Sequence, residues 1–251
     1  MRLEDQLAQL GVRPPETVSE GVLLGTGLAD GYRRFDSPIG PVIVTFNPTG
    51  VSSVDLDDGA APERFAARFG RPLIPADPPR GWIRRIERAI ERGAPADLPV
   101  DLRSVTHFQR EVLLQAARIP KSQVRPYVWL AHQVGRPGAV RAVGSTMARN
   151  PVPLIIPCHR VVRADGAIGA YSLGGPENKQ RLLQHEGTDP EWLEALARRG
   201  VRYLGSETTH IFCHPTCANA RRIADRHRRE LRDRLDATQA GYRPCEVCQP
   251  V

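Results

Sequence analysis

Hydrophobic and polar residues follow two different periods in the first hundred residues. Two apolar runs between Gly31 and Gly50 flank a turn at residues 37–41, and residues 51–56 alternate apolar with polar, as strands do. Residues 63–69 and 82–92 repeat their apolar positions at intervals of three and four, which is typical of amphipathic helices. The pattern therefore predicts a small sheet with helices over residues 1–103.

Prolines and acidic residues mark the irregular parts of this region. Residues 1–20 are polar with two prolines and are expected to be loosely held. Residues 72–99 are proline-rich around the second helix, which predicts a connection between domains. Asp55, Asp57 and Asp58 could suggest a cation site, but a solvated turn explains them more simply.

The pattern becomes helical from residue 104. Thr106 can cap a helix that runs through Arg118, where Ile119 and Pro120 end it. Short helices at residues 127–134 and 139–148 are separated by a glycine-containing turn, and this is the arrangement of a helix-turn-helix.

The second helix of this pair is dominated by small residues. Small side chains let a helix press closely on a partner surface, although they also suit packing between helices. Arg141 lies among them, with Arg136 and Arg149 nearby. These arginines favour nucleic acid as the partner.

Charge is distributed unevenly along the 251 residues, whose formal net charge is +7. Residues 1–103 carry 13 Lys and Arg against 15 Asp and Glu, and residues 104–188 carry 11 against 4. Residues 201–251 carry 9 against 6. The excess positive charge in the middle and the tail suits a polyanion, although a basic solvated surface without a partner remains an alternative.

The first residues and the cysteines indicate the cellular compartment in which the protein is expected to act. The first residues do not resemble a signal peptide, and no segment approaches the ~20 apolar residues of a membrane span. Five cysteines, all after residue 157, do not suit a secreted disulfide scaffold. We therefore expect a reduced, cytoplasmic setting without a membrane.

Residues 150–162 combine stiffness with reactive chemistry. Prolines at 151, 153 and 157 prevent a regular helix, and an apolar run leads to Cys158 and His159. A thiol is a useful nucleophile only as the thiolate, which an adjacent base or positive group such as His159 or Arg160 would promote. The alternative is that Cys158 is a small, inert core residue.

The string Ile-Pro-Cys-His-Arg-Val-Val around Cys158 resembles the active-site signature of the O6-alkylguanine-DNA alkyltransferases. The resemblance extends from about Phe108 to Gly187 and includes Val140-Arg-Ala-Val-Gly144, Asn150-Pro-Val-Pro153 and His185-Glu-Gly187. It implies that Cys158 is the nucleophile, that His159 draws its proton through a water, and that Glu186 orients His159. Asn150 would brace the active-site turn. The alkyl group would move irreversibly from guanine O6 to sulfur without a cofactor, one group per protein.

The same resemblance implies how double-stranded DNA carrying O6-alkylguanine would be bound. The lesion lies within the base stack, so the base must be flipped out before a cysteine can reach it. Arg141 would fill the space left by the base, Tyr127 would help to rotate it outward, and the loop with Tyr171 and Ser172 would close on the guanine. Arg125 and Pro126 stand where smaller residues are expected, which could change the start of the first helix of the pair.

Two close cysteine pairs in the tail predict one structural zinc ion. Their four members are Cys213, Cys217, Cys245 and Cys248. Four thiolates satisfy a tetrahedral site with no open position, and the spacings of three and two residues suit zinc better than disulfides in a cytosolic protein. A preceding segment, residues 189–200, has the spacing of a linker helix.

The strings around these cysteines, residues 208–217 and 240–245, resemble the Ada-type zinc module. The resemblance implies that Cys213 could accept a methyl group from a DNA methylphosphotriester, with Thr209 and Arg243 contacting phosphate. The family's arginine after the second cysteine is replaced by Ala220, and the arginine-rich residues 223–235 favour a helix. A site that only binds zinc or anchors DNA is therefore nearly as well supported.

These patterns and the two resemblances together imply an α/β (α+β) protein in four parts. They are a strand-rich support domain (1–103), a winged-helix-like alkyltransferase domain (104–188), a linker helix (189–200) and the zinc module (201–251). We expect a monomeric, nucleoid-associated DNA-repair alkyltransferase. The alternatives are a methylation-responsive DNA-binding regulator or lesion sensor, and a cysteine hydrolase using Cys158, His159 and Glu186.

Overall fold

The computed structural model describes residues 16–251, so most of the segment expected to be loosely held, residues 1–15, lies outside the described residues. Residues 16–20 of that segment belong to helix α1 (Glu16–Thr26). Among the described residues, no helix is both long and apolar enough to cross a membrane.

A four-stranded sheet forms the first half of the structure. Its strands are β1 (Asp30–Phe35), β2 (Val42–Asn47), β3 (Gly50–Leu56) and β4 (Leu73–Pro75). Their order is β3-β2-β1-β4, with β4 parallel to β1 and the other neighbours antiparallel. Every residue of β2 is buried. The sequence predicted the first three strands but placed β4 in a connection, because three residues are too few to show a period of two.

Two helices accompany this sheet, α2 (Ala61–Phe69) and α3 (Trp82–Arg92), close to their predicted positions. The acidic turn before α2 forms ion pairs with arginine. Asp55 and Asp58 bond Arg64 at 2.7 and 2.9 Å, and Asp57 lies 3.2 Å from Arg34. These pairs occupy the carboxylates that a cation would need.

The middle of the chain is helical. Its elements are α4 (His107–Ala116), strand β5 (Arg125–Pro126), α5 (Tyr127–Gln133), α6 (Val140–Ala148), strand β6 (Val161–Val162), α7 (Gly175–His185) and α8 (Pro190–Arg198). Thr106 caps α4 in a capping box with Gln109, but α4 ends at Ala116 rather than at the predicted Arg118. Helix α7 was not predicted, since its sequence is mostly polar.

The sheet and the helices share one hydrophobic core. Val44 and Val54 of the sheet belong to the same buried cluster as Leu113, Ile156 and Cys158. The Val54 amide also donates to the Pro151 carbonyl at 3.0 Å. The N-terminal sheet therefore supports the proline-rich segment that carries the cysteine.

The tail forms a second four-stranded sheet. Its elements are β7 (Tyr203–Ser206), β8 (Ile211–Cys213), β9 (Arg228–Leu231), α9 (Arg234–Gln239) and β10 (Arg243–Pro244), with strand order β10-β8-β7-β9. The helical preference of residues 223–235 is not realised over most of the segment, although α9 begins at Arg234. Residues 228–231 instead pair with β7, where Tyr203 lies opposite Leu231, and this pairing overrides the local helical preference.

Candidate active site and metal centre

Cys158 lies in a buried 3-10 turn, Cys158–Arg160, between the proline-rich segment and β6. The Asn150 side-chain amide bridges this turn, donating to the Ile156 carbonyl at 2.8 Å and to Cys158 Sγ at 3.2 Å. Burial raises the pKa of the Cys158 thiol, and the Asn150 hydrogen bond acts in the opposite sense. The predicted brace and the predicted nucleophile are therefore in direct contact.

His159 and Glu186 form the predicted imidazole–carboxylate pair. His159 Nε2 lies 2.9 Å from Glu186 Oε1, and both side chains are buried. The other ring nitrogen, Nδ1, is buried and has no hydrogen-bond partner in residues 16–251. Burial lowers the pKa of His159, against the influence of Glu186, so the ring is neutral near pH 7.

Arg160 holds Glu186 in place. Its Nε donates to Glu186 Oε2 at 2.9 Å, and its Nη2 donates to Glu186 Oε1 at 2.6 Å. Other guanidinium N–H groups donate to the carbonyls of Arg92, Gly93 and Ile119. Burial opposes ionisation of Glu186, but the hydrogen bonds from His159 and Arg160 lower its pKa to about 2. Arg160, considered from sequence as a group that could promote the thiolate, is bonded to Glu186 instead.

A cavity of about 360 Å³ opens at Cys158. Four of the predicted site residues line it, namely Tyr127, Cys158, Tyr171 and Ser172, together with Gly144, Met147, Ala148 and Ala170. The Tyr171 hydroxyl is buried without a hydrogen-bond partner in the described part of the chain. Burial and the nearby Cys158 raise its pKa well above the usual value, so the hydroxyl is a donor available to a molecule in the cavity.

Arg141 lies outside this cavity lining. It is exposed in the first turn of α6, and Ala142, Ser145 and Ala148 are exposed on the same helix, whereas Val143 and Met147 are buried. The small residues thus face solvent as well as lining the cavity. A bulky partner can therefore approach the α6 backbone beside the cavity.

Lys179 was missed by the sequence analysis. It is fully buried on α7, and its Nζ donates to the carbonyls of Val161 and Ile168 at 2.6 and 2.7 Å. Burial lowers its pKa to about 8. Its contacts fix the loop that leads from β6 toward Tyr171, and no local pattern distinguishes it from a solvated lysine in a polar helix.

The four tail cysteines form one buried cluster. Their sulfur atoms all lie within 4.8 Å of one another. The His214 amide lies 3.4 Å from Cys248 Sγ and the Asn219 side-chain amide 3.4 Å from Cys245 Sγ, and such donors favour thiolates. Four sulfur ligands at this separation fit a closed tetrahedral zinc site, in which zinc would supply fold stability.

A second cavity, of about 350 Å³, lies beside this cluster. Cys213 and Thr209 line it with Asn219, Arg222 and His227. Arg243 does not line it, is largely exposed and lies 3.8 Å from Glu246. Arg221 follows Ala220, which stands in place of the family's arginine, and its guanidinium donates to the Ser122 carbonyl.

Two family models match separate parts of the chain. The model described as 6-O-methylguanine DNA methyltransferase, DNA binding domain, matches residues 107–188. The model described as the metal binding domain of Ada matches residues 196–251.

Curated relatives span different parts of the chain. Methylated-DNA–protein-cysteine methyltransferase of Mus musculus is 37% identical over 175 residues, covering 62% of this chain and 81% of the relative. The bifunctional transcriptional activator/DNA repair enzyme Ada of Escherichia coli (strain K12) is 34% identical over 172 residues, which is 66% of this chain but only 48% of Ada. The first similarity thus extends over most of that relative's length.

A solved structure shows the same fold. The crystal structure of Mycobacterium tuberculosis OGT in complex with DNA is 32% identical in sequence and has a TM-score of 0.51. It matches 65% of this chain and 98% of its own. The mixed arrangement of small sheets and helices is therefore shared with a DNA-bound protein.

Proposed function

The chain belongs to the methylated-DNA–protein-cysteine methyltransferase family, with an Ada-type zinc-binding domain, and we propose that Cys158 is its alkyl acceptor. The protein repairs DNA by alkyl transfer. One observation carries the assignment of residues: a single cavity is lined by Cys158, Tyr127, Tyr171 and Ser172, next to the His159–Glu186 pair.

The protonation states of the pair support His159 as the base. With its pKa near 2, Glu186 is a carboxylate at pH 7 and can only accept, so His159 Nε2 carries the proton between them. Nδ1 is then the unprotonated nitrogen, and it has no protein partner within residues 16–251. We assign Nδ1 as the atom that draws the Cys158 proton through a water.

The transfer forms one bond and breaks another. Because burial keeps the Cys158 thiol protonated at rest, proton removal by His159 accompanies attack on the alkyl carbon. The Sγ–C bond forms as the O6–C bond breaks, and the electron pair remains on guanine, which takes up a proton. The Tyr171 hydroxyl, free of protein partners among the described residues, is placed to donate to the guanine. The thioether is stable, so each protein acts once.

The exposed face of α6 is proposed to bind duplex DNA carrying O6-alkylguanine. Its small residues permit close approach to the minor groove, and exposed Arg141 would occupy the gap left by the flipped base. Tyr127, at the first position of α5, lines the cavity and would crowd the base outward.

The remaining expectations are proposals of the same kind. We assign residues 1–103 to support, 104–188 to alkyl transfer, 189–200 to a linker and 201–251 to zinc binding. We further propose a monomer that acts in the cytoplasm at the nucleoid, which agrees with the positive charge of residues 104–188.

Mass spectrometry tests the assignment of Cys158. After incubation with a duplex containing one O6-methylguanine, we expect a single added methyl group on the peptide bearing Cys158 and none in Cys158→Ser. Repeated turnover without an adduct would instead indicate a hydrolase. Binding of the lesion without methylation would indicate a sensor.

A second acceptor at Cys213 is favoured by the cavity beside the metal centre. Cys213 lines that cavity with Thr209, Arg222 and His227, a set able to bind a phosphate group. The Cys213 Sγ–methyl bond would form as the methyl–oxygen bond of a methylphosphotriester breaks, leaving an ordinary phosphodiester. DNA with methylphosphotriesters as its only lesions should methylate Cys213 in wild type and in Cys158→Ser. An unmodified Cys213 would assign the zinc site a structural or DNA-anchoring role.

A further inference from the structure

Arg125 is a buried cation that has no carboxylate partner among residues 16–251. The residue is 2% exposed. Its guanidinium donates to the Val124 carbonyl at 2.8 Å and to Gln123 Oε1 at 2.6 Å, and both acceptors are neutral oxygens. Burying a charge is costly unless an opposite charge lies near it, so the surroundings of Arg125 should supply one.

The flanks of Arg125 contact the two loops that carry the cysteines. The guanidinium lies over the Trp129 ring, 5.7 Å from its centroid, and Trp129 Nε1 donates to the Cys248 carbonyl at 2.9 Å. The Val124 amide donates at 2.8 Å to Thr216 Oγ1, one residue before Cys217. These contacts place the immediate neighbours of Arg125 against the loops that carry Cys217 and Cys248.

We propose that Arg125 is the internal counter-cation of the zinc-thiolate cluster, and that the zinc module uses it to hold helix α5 in position for base flipping. Four thiolates around one Zn²⁺ leave a net charge of about −2. Burial lowers the pKa of Arg125, and the four cysteine sulfurs act in the opposite sense. With zinc bound, a cluster of this charge, held next to Arg125 by the contacts of Val124 and Trp129, would supply the negative charge that the hydrogen-bond partners of Arg125 lack.

The backbone connects this charge pair to both proposed functional elements. Arg125 and Pro126 form β5, and Pro126 is the N-cap of α5, whose first residue is Tyr127. Strand β5 pairs with β6, with Arg125 opposite Val161, and β6 directly follows the turn that carries Cys158. This part of the inference rests on the proposed function, because it assigns a positioning role to Arg125 in that reaction.

Zinc affinity of the full chain tests the charge pairing. In competition with a chromogenic chelator, Arg125→Met should bind zinc with at least tenfold lower affinity than wild type. Arg125→Lys keeps the positive charge and should retain most of the affinity. Arg181→Met removes an exposed arginine from α7 and should leave zinc affinity unchanged. Equal affinity in Arg125→Met and wild type would overturn the proposal.

Hydrogen exchange on the wild-type protein tests whether the zinc module holds helix α5 in position. It needs no substitution, so it is decisive even where Arg125→Met does not fold. Removal of zinc by a chelator should reduce amide protection across residues 122–133, and unchanged protection there would refute the positioning role.

The rates of alkyl transfer from two substrates distinguish a positioning role of Arg125 from a merely structural one. Arg125→Met should slow transfer from O6-methylguanine in duplex DNA at least tenfold, and transfer from free O6-benzylguanine, which needs no flipping, less than threefold. Equal slowing on both substrates would contradict positioning. If wild type transfers from neither substrate, the proposed function fails, while the zinc-affinity comparison still decides the role of Arg125.

Discussion

Glu186 is the residue on which the candidate active site depends most. It accepts from His159 and Arg160, its own backbone carbonyl accepts from the Ser122 hydroxyl, and it lies one residue beyond α7. One carboxylate therefore orients the imidazole and neutralises a buried guanidinium. Its functional and structural effects can be separated by experiment.

Replacement of Glu186 by glutamine should slow alkyl transfer by about 10²-fold or more. The amide no longer requires a proton on His159 Nε2, so the tautomer with a free Nδ1 loses its preference, and such base catalysis contributes on this scale. Single-turnover kinetics on a lesion-containing duplex measures the effect. Glu177→Gln, at an exposed position in the first turn of α7, is the matched control and should react like wild type.

Glu186 should also make the folding stability of the protein depend on pH. Its pKa is lowered from 4.5 to about 2, so its contribution is complete above pH 4.5 and is lost as pH falls from there toward 2. The full contribution is on the order of 3 kcal/mol. In urea unfolding, the free energy of unfolding of wild type should therefore exceed that of Glu186→Gln by an amount that is constant from pH 7 to 5 and decreases below pH 4.5. A difference that increases below pH 4.5 would contradict the lowered pKa of Glu186.

At the scale of elements, helix α3 meets the active site at its C-terminal glycine. Gly93 has φ +58, and an added Cβ would lie 2.3 Å from Arg160 Nη2 and 3.2 Å from Glu186 Oε1. Gly70 ends α2 with φ +69, and nothing lies within 4 Å of its added Cβ. The two glycines share a backbone conformation and differ only in their surroundings.

This pair permits a matched comparison of alanine substitutions. Gly70→Ala should cost about 1–2 kcal/mol, the cost of a left-handed conformation for a residue with a Cβ. Gly93→Ala should cost at least about 1 kcal/mol more, because the Arg160 guanidinium must move. Thermal unfolding measures both. Equal losses would show that the contact between Gly93 and Arg160 is unimportant.

Elements with a clear apolar period could be predicted from sequence, and others could not. Strands β1–β3 and helices α2, α3 and α8 were found this way, whereas α7 shows no period because most of its residues are polar. Helix α4 was found from its capping residue, and α5 and α6 from the glycine-containing turn between them. Residues 223–235 have helical composition, yet β9 forms there because it pairs with β7. Tertiary pairing of this kind is absent from a local window.

The candidate site shows the same limit. Cys158, His159 and Asn150 are close in sequence and could be found together. The partners of Arg160 at Gly93 and Ile119 are distant along the chain and meet it only in the fold. The same is true of the Cys248 carbonyl, which accepts from Trp129 beside Arg125. Arg125 was noticed from sequence solely as a departure from the family pattern, without a physical reason.

At the scale of the whole molecule, the zinc module is bound to the alkyltransferase part by buried polar contacts. Trp129 Nε1 donates to the Cys248 carbonyl, and Thr216 Oγ1 accepts from the Val124 amide and lies 3.4 Å from the Val124 carbonyl. Such buried, satisfied groups are expensive to separate. We therefore expect the two parts to unfold together while zinc is bound.

Two buried threonines allow this expectation to be tested. Thr216→Val removes the acceptor of the Val124 amide and should cost about 1–3 kcal/mol, because a buried donor is left unsatisfied. Thr188 is equally buried, but its hydroxyl has no partner in residues 16–251, so Thr188→Val should be neutral or slightly stabilising.

Guanidinium unfolding of the zinc-loaded protein, followed by tryptophan fluorescence and by zinc release, measures both variants. If the contact couples the two parts, Thr216→Val shifts both signals to lower denaturant together. A shift of the zinc-release signal alone would show that the module unfolds independently.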